Sequence, residues 1–181
     1  WEAWAPGLKT IEDALEIRRR VLSAFEAAER QGDPAERDAT LTFVVVGGGP
    51  TGIELAGALI EIGRHTVARD FRSFDPRRLR VILIEGAPRV LPPFSENLSK
   101  AARVQLERLG IEVRTGVQVT KIDETGVWIG EEHLVAGIQR GTQRVKNRLL
   151  APGADDHLAG RNRDAQVARK MQRPGLAQAL G

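Results

Sequence analysis

Glycines 47, 49 and 52 stand at the G-x-G-x-x-G spacing, in the stretch Leu41-Thr-Phe-Val-Val-Val-Gly-Gly-Gly-Pro-Thr-Gly-Ile-Glu-Leu-Ala-Gly57. The chemistry open to such a turn is the binding of a dinucleotide pyrophosphate by backbone amides. Gly47 permits the tight turn, Gly49 removes the side chain that would hold the backbone away from the phosphates, and Gly52 lets the following helix pack closely. Pro50 suits a first helical turn, which has no use for the missing N–H. The expected cradle is therefore Gly47, Gly48, Gly49, Pro50, Thr51 and Gly52. Glycine-rich turns also serve plain structural ends, so the context decides. Phe43 to Val46 reads as a buried strand, and Ile53, Ala56, Leu59 and Ile60 recur at helical spacing.

A second chemical group is Glu85, which closes the apolar run Arg80-Val-Ile-Leu-Ile-Glu85. An acidic side chain at the end of the second strand accepts from the adenosine ribose hydroxyls and repels a 2'-phosphate, which favours NAD(H) over NADP(H). Glu85 lies 33 residues beyond Gly52, whereas about 20 is usual. The first crossover is thus expected to carry an insertion, and the arginine-rich segment His65 to Arg78 is its natural place. Arg77, Arg78 and Arg80 argue for a phosphate, but they precede the strand rather than follow it.

Positioning these groups requires a particular set of elements. Thr10 caps a helix with Asp13 three residues on, and Ala14, Ile17, Val21, Phe25 and Ala28 form one apolar stripe that ends at Gly32-Asp33-Pro34. After Glu85 the loop Gly86 to Phe94 holds three prolines, and a second crossover helix runs from about Glu96 to Leu109 before Gly110. Ile111 to Val113 reads as a third parallel strand. Val117 to Ile122 and Val127 to Ile129 alternate around Asp123-Glu-Thr-Gly126, a hairpin signal. The fold class is α/β: a Rossmann-like parallel sheet with crossover helices and a β-hairpin or meander, preceded by an amphipathic helix.

The 181 residues are 41% apolar and 28% charged, ordinary for a soluble globular protein. Without cysteine there is no disulfide framework, redox dithiol or thiolate metal site. His65, His133 and His157 show no ligand spacing, read as surface or loop residues, and no metal is expected. No run of 18 apolar residues and no basic leader occur, so a cytoplasmic location is the default expectation. The net charge of +3 is unevenly spread: residues 1–134 carry 18 Lys and Arg against 21 Asp and Glu, and residues 135–181 carry 9 against 3. The basic excess sits in a tail, Gln139 to Gly181, that lacks aromatic residues and any lasting helical period, and a flexible tail is expected. Nucleic-acid binding ranks last, for want of aromatic interleaving or a recognition motif.

Three segments together resemble the type II NADH dehydrogenases, flavoprotein NADH:quinone oxidoreductases of the two-dinucleotide-domain superfamily. They are Ala5-Pro-Gly-Leu-Lys-Thr-Ile-Glu-Asp-Ala-Leu-Glu-Ile-Arg18, Val46-Gly-Gly-Gly-Pro-Thr-Gly-Ile-Glu-Leu-Ala-Gly57 and Glu85-Gly-Ala-Pro-Arg-Val-Leu-Pro92. The resemblance covers about residues 1 to 134. It implies residues 1–40 as a helix leading in from an FAD domain, 41–134 as the NAD(H)-binding domain and 135–181 as an unpatterned tail. It also implies hydride transfer from NADH to FAD and on to a quinone, a membrane-surface location through a C-terminal segment, and a homodimer as an open option for the full-length form. No FAD site is evident in this chain, so the expectation is an NADH-binding portion, inactive alone, with a truncated or frameshifted reading frame behind the tail. Glu54 is implied to face the nicotinamide and flavin; its local alternative is a carboxylate in the first helical turn, stabilised by the helix dipole. Nitrite or ferredoxin reductases, and a non-catalytic NAD-binding module, remain the alternatives.

Overall fold

The computed structural model describes residues 4–66, 75, 78–123 and 126–136, with residues 65 and 66 described in backbone only. The Gln139–Gly181 tail, Arg77 and His157 lie outside the described residues, as does most of the expected His65–Arg78 insertion. That insertion begins as a π-helical turn, Ile62–Thr66.

Helix α1 (Ile11–Arg30) starts where the capping box requires: the Thr10 hydroxyl accepts from the Asp13 N–H, and the Asp13 carboxylate accepts from the Thr10 N–H. A short helix α2 (Pro34–Thr40) follows, which the periodicity does not reveal. Its signal is local. Asp33 caps it through the Ala35 N–H at 2.9 Å, with Pro34 at the first helical position.

Strands β1 (Thr42–Val46), β2 (Arg80–Glu85) and β3 (Glu112–Thr115) form a parallel sheet in the order β1-β2-β3. The crossovers carry helices α3 (Pro50–Glu61) and α4 (Glu96–Arg108). The second helix ends just before Gly110, whose φ is +80°. Strands β4 (Val119–Ile122), β5 (Gly126–Ile129) and β6 (Glu132–Val135) make an antiparallel meander. The Asp123 carboxylate organises its first turn, accepting from the Gly126 N–H and from the Trp128 indole N–H.

The apolar runs of β1 and β2 are continuous because both faces of the sheet are covered. Phe43, Val45, Val81 and Leu83 pack with α1, α3 and α4 through Val21, Phe25, Ile53, Ile60 and Leu106. Val44, Ile82 and Ile84 turn the other way, onto Ile122, Val127 and Leu134 of the meander and onto Ala5. The result is three layers, helices on sheet on meander. Both crossover helices lie on one face, as right-handed connections along a β1-β2-β3 order demand.

The meander continues past the expected boundary at Leu134. Val135 completes β6 and Ala136 is fully buried. His133 is likewise not a loop residue: it sits in β6 opposite Trp128, with its ring stacked on the indole at 4.1 Å between centroids.

Candidate functional site

The glycine turn and Glu85 meet at the carboxyl ends of β1 and β2, where ligands bind in open α/β sheets. At the end of β1, Gly47 has φ +111°, a conformation that favours glycine, while its N–H still donates to Ile84 O at 2.8 Å. The chain turns there and enters α3 three residues later, at Pro50. Gly52 sits against that turn. A Cβ on it would lie 1.9 Å from Gly47 O, so the close packing of helix on turn depends on its missing side chain.

Gly49 differs from both. It is the N-cap of α3, its φ of −74° and ψ of 178° are open to any residue, and a Cβ on it would meet nothing within 4 Å. The fold gives no reason for glycine here. The empty space beyond its α-carbon adjoins the start of α3, whose first amides, including those of Thr51 and Gly52, have no partner within the helix. Pro50 occupies the first helical position and lacks an N–H.

Glu85 ends β2 facing the glycine turn. Its Oε2 accepts from the Gly48 N–H at 2.5 Å, and its Oε1 from the Ala87 N–H at 2.8 Å. The carboxylate is therefore brought to the cradle, half-buried and oriented by backbone. Of the arginines that argued for a phosphate, Arg78 and Arg80 are not. Arg80 is the first residue of β2 and is paired with Glu112, and Arg78 is paired with Asp38. The five steps from Arg80 to Glu85 span about 17 Å, so these guanidinium groups stand at the other end of the sheet.

Glu54 is exposed on α3 as its fifth residue, in the second turn. The reading of it as a first-turn carboxylate is corrected accordingly: the first turn of α3 holds no acidic residue, because Pro50, Thr51, Gly52 and Ile53 fill it.

Sequence reasoning placed the loop that follows Glu85 but missed its hold on the glycine turn. Leu91, fully buried, adopts φ +50°, and its N–H donates to Gly48 O at 2.8 Å. The Ser99 hydroxyl donates to Val90 O at 2.6 Å, and Arg89 Nη2 donates to Pro92 O at 2.9 Å. The loop is braced from below and clamps the glycine turn from the side. The prolines at 88, 92 and 93 were the visible signal of its rigidity, but nothing in them specified Gly48 as the target.

The family model described as pyridine nucleotide-disulphide oxidoreductase matches residues 4–169. The chain belongs to this family. The match runs past residue 134, where the resemblance carried by the sequence motifs ends. Among curated relatives, type II NADH:quinone oxidoreductase Ndh of Mycobacterium tuberculosis is 41% identical over 180 residues, covering 98% of this chain and 37% of the relative. The NdhA enzyme of the same organism is 50% identical over 129 residues, covering 71% of this chain and 27% of the relative. The resemblance to the type II NADH dehydrogenases is thus found again in whole-sequence comparison. This chain spans well under half the length of either relative. The structure of NDH2 from Plasmodium falciparum in complex with NADH superposes with a TM-score of 0.72 and 25% identity, over 84% of this chain and 30% of that one.

Proposed function

We propose that this chain is the NADH-binding part of a flavoprotein NADH:quinone oxidoreductase. The observation that carries the reading is Gly49: a glycine at a helix N-cap with an ordinary backbone and open space beyond its α-carbon. A pyrophosphate against that backbone supplies the reason the fold does not. Two further observations support it, the carboxylate of Glu85 at the adjoining strand end and the match to relatives whose names state NADH as substrate.

In this reading Gly47, Gly48, Gly49, Pro50, Thr51 and Gly52 form the cradle. The amides of Thr51 and Gly52, with the positive end of the α3 dipole, hold the pyrophosphate. Glu85 accepts from the adenosine ribose hydroxyls and disfavours a 2'-phosphate. NADH, so held, is a hydride donor. Glu54, exposed one turn further along α3, is assigned by resemblance to the substrate-proximal side. Residues 41–134 are assigned to the NADH-binding unit and 1–40 to the segment leading into it. FAD, quinone and attachment at the cytoplasmic membrane surface belong to the whole enzyme. None of the comparisons favours a nitrite or ferredoxin reductase instead. Among the described residues no helix is long and apolar enough to cross a membrane.

The test is a calorimetric titration of the 181-residue chain with NADH and NADPH, repeated on Glu85→Ala. NADH is expected to bind more tightly, with the preference lost in the variant; equal affinities that ignore the substitution would remove Glu85 from the ribose site. The chain expressed alone is expected to purify colourless and without NADH:quinone activity, since its glycine cradle is assigned to NADH. A yellow protein with stoichiometric flavin would overturn that assignment.

A further inference from the structure

The second glycine of the Gly-Gly-Gly run, Gly48, falls at a variable position of the spacing pattern, and the structure assigns it a role of its own. We propose that Gly48 is a specificity-determining residue that acts through Glu85: its N–H and its missing side chain together set the carboxylate that selects NADH over NADPH. The inference rests on the nucleotide reading above and deepens it.

Gly48 is buried and held on one side by the end of β2 and on the other by the β2–α4 connection. Its N–H donates to Glu85 Oε2, and its carbonyl accepts from the Leu91 N–H. A Cβ at this position would lie 3.0 Å from Glu85 Cβ, 3.1 Å from Cγ and 3.1 Å from Oε2. All three contacts are with one side chain. Cβ is tied to the Glu85 backbone and yields only with it, whereas Cγ and Oε2 swing about χ1, so substitution displaces chiefly the carboxylate head.

A carboxylate offers about four lone-pair directions. Two of Glu85's are taken, one on each oxygen, by Gly48 and Ala87. One direction remains on each oxygen, which matches the two hydroxyls of an adenosine ribose. The two amide bonds fix the plane of the carboxylate before any nucleotide arrives, and charge-assisted bonds of this kind are about twice as strong as neutral ones. If Gly48 is widened to alanine, the Glu85 head moves off its amide and out of that plane. The contacts of the new side chain are with Glu85 and not with Gly49 or Gly52, so the ribose end is affected most.

The experiment measures NADH and NADPH affinity in the wild-type chain and in Gly48→Ala, Glu85→Ala and the double variant, with thermal melting of each. The expected result is that Gly48→Ala weakens NADH about tenfold more than it weakens NADPH, the loss of one hydrogen bond to a charged group. In the Glu85→Ala background the same substitution is expected to leave the NADH-to-NADPH ratio unchanged, because the carboxylate it displaces is gone, while the Cβ approached at 3.0 Å remains. If Gly48→Ala alone is too unstable to titrate, it is measured with Glu85→Gly, which removes the crowded Cβ as well, and recovery of folding there is the expected outcome. Equal weakening of both nucleotides by Gly48→Ala, or an additive loss in the double variant, would overturn the proposal while leaving the ribose role of Glu85 standing. If Glu85→Ala itself leaves the ratio unchanged, both fall.

Discussion

Four neighbouring glycines do four different things, and their substitutions separate accordingly. A side chain on Gly52 would run into the carbonyl oxygen of Gly47, so Gly52→Ala must displace backbone. It is expected to cost about 3 kcal/mol of stability, read as a shift of the urea midpoint, with nucleotide binding lost as a consequence. Gly49→Val meets no atom of the protein at its Cβ and sits at a φ any residue adopts. Its melting temperature should stay close to wild type while binding of both NADH and NADPH disappears. A Gly49→Val protein that binds normally would show that the open space is not the phosphate site.

Helix α1 is a component of the core rather than a tether. Val21, Ala24, Phe25 and Ala28 lie in the same apolar cluster as β1 and α3, and the Phe25 ring packs on Phe43 with centroids 5.9 Å apart. Phe25→Ala is expected to destabilise the domain by about 3–5 kcal/mol in urea unfolding, the usual range for truncating a buried aromatic. The capping box is a smaller contributor: Thr10→Ala should cost about 1 kcal/mol. If Phe25→Ala unfolded only α1 and left the sheet protected in hydrogen exchange, the helix would be an appendage and the single core an error.

Across the molecule, ion pairs fasten the layers to one another. Arg114 bridges Glu112 of its own strand and Glu132 of the meander, and Glu112 also holds Arg80. Burial alone would raise the Glu112 carboxyl, but the guanidinium groups of Arg80 and Arg114 outweigh it and hold it below its ordinary value. Glu16 is clasped by Arg19 and Arg20, which hold its carboxyl down to about 2 from 4.5, and Arg20 reaches on to Trp4 O at 3.2 Å. A carboxyl depressed in the folded state stabilises above its unfolded value, and that contribution is lost as pH falls through the folded one. The stability difference between wild type and Glu16→Gln should therefore be flat from about pH 7 down to about pH 5, then shrink toward about pH 2. Melting curves across that range check it; a difference that grew on acidification would mean that Glu16 is not ionised in the fold.

The parallel strands, the crossover helices, the Thr10 cap, the glycine turn and the acidic end of β2 were legible in the sequence because each is written in local pattern. Period, capping chemistry and glycine spacing all act within a few residues of themselves. Helix α2 was missed because seven residues are too few to display a period, and the stacking of His133 on Trp128 was out of reach because it belongs to a strand pairing. The hold of Gly48 on Glu85 and the clamp of Leu91 were decided by tertiary structure alone. They join residues 37 and 43 positions apart, and no local rule says which atom a distant loop will touch once the sheet has brought two strand ends together.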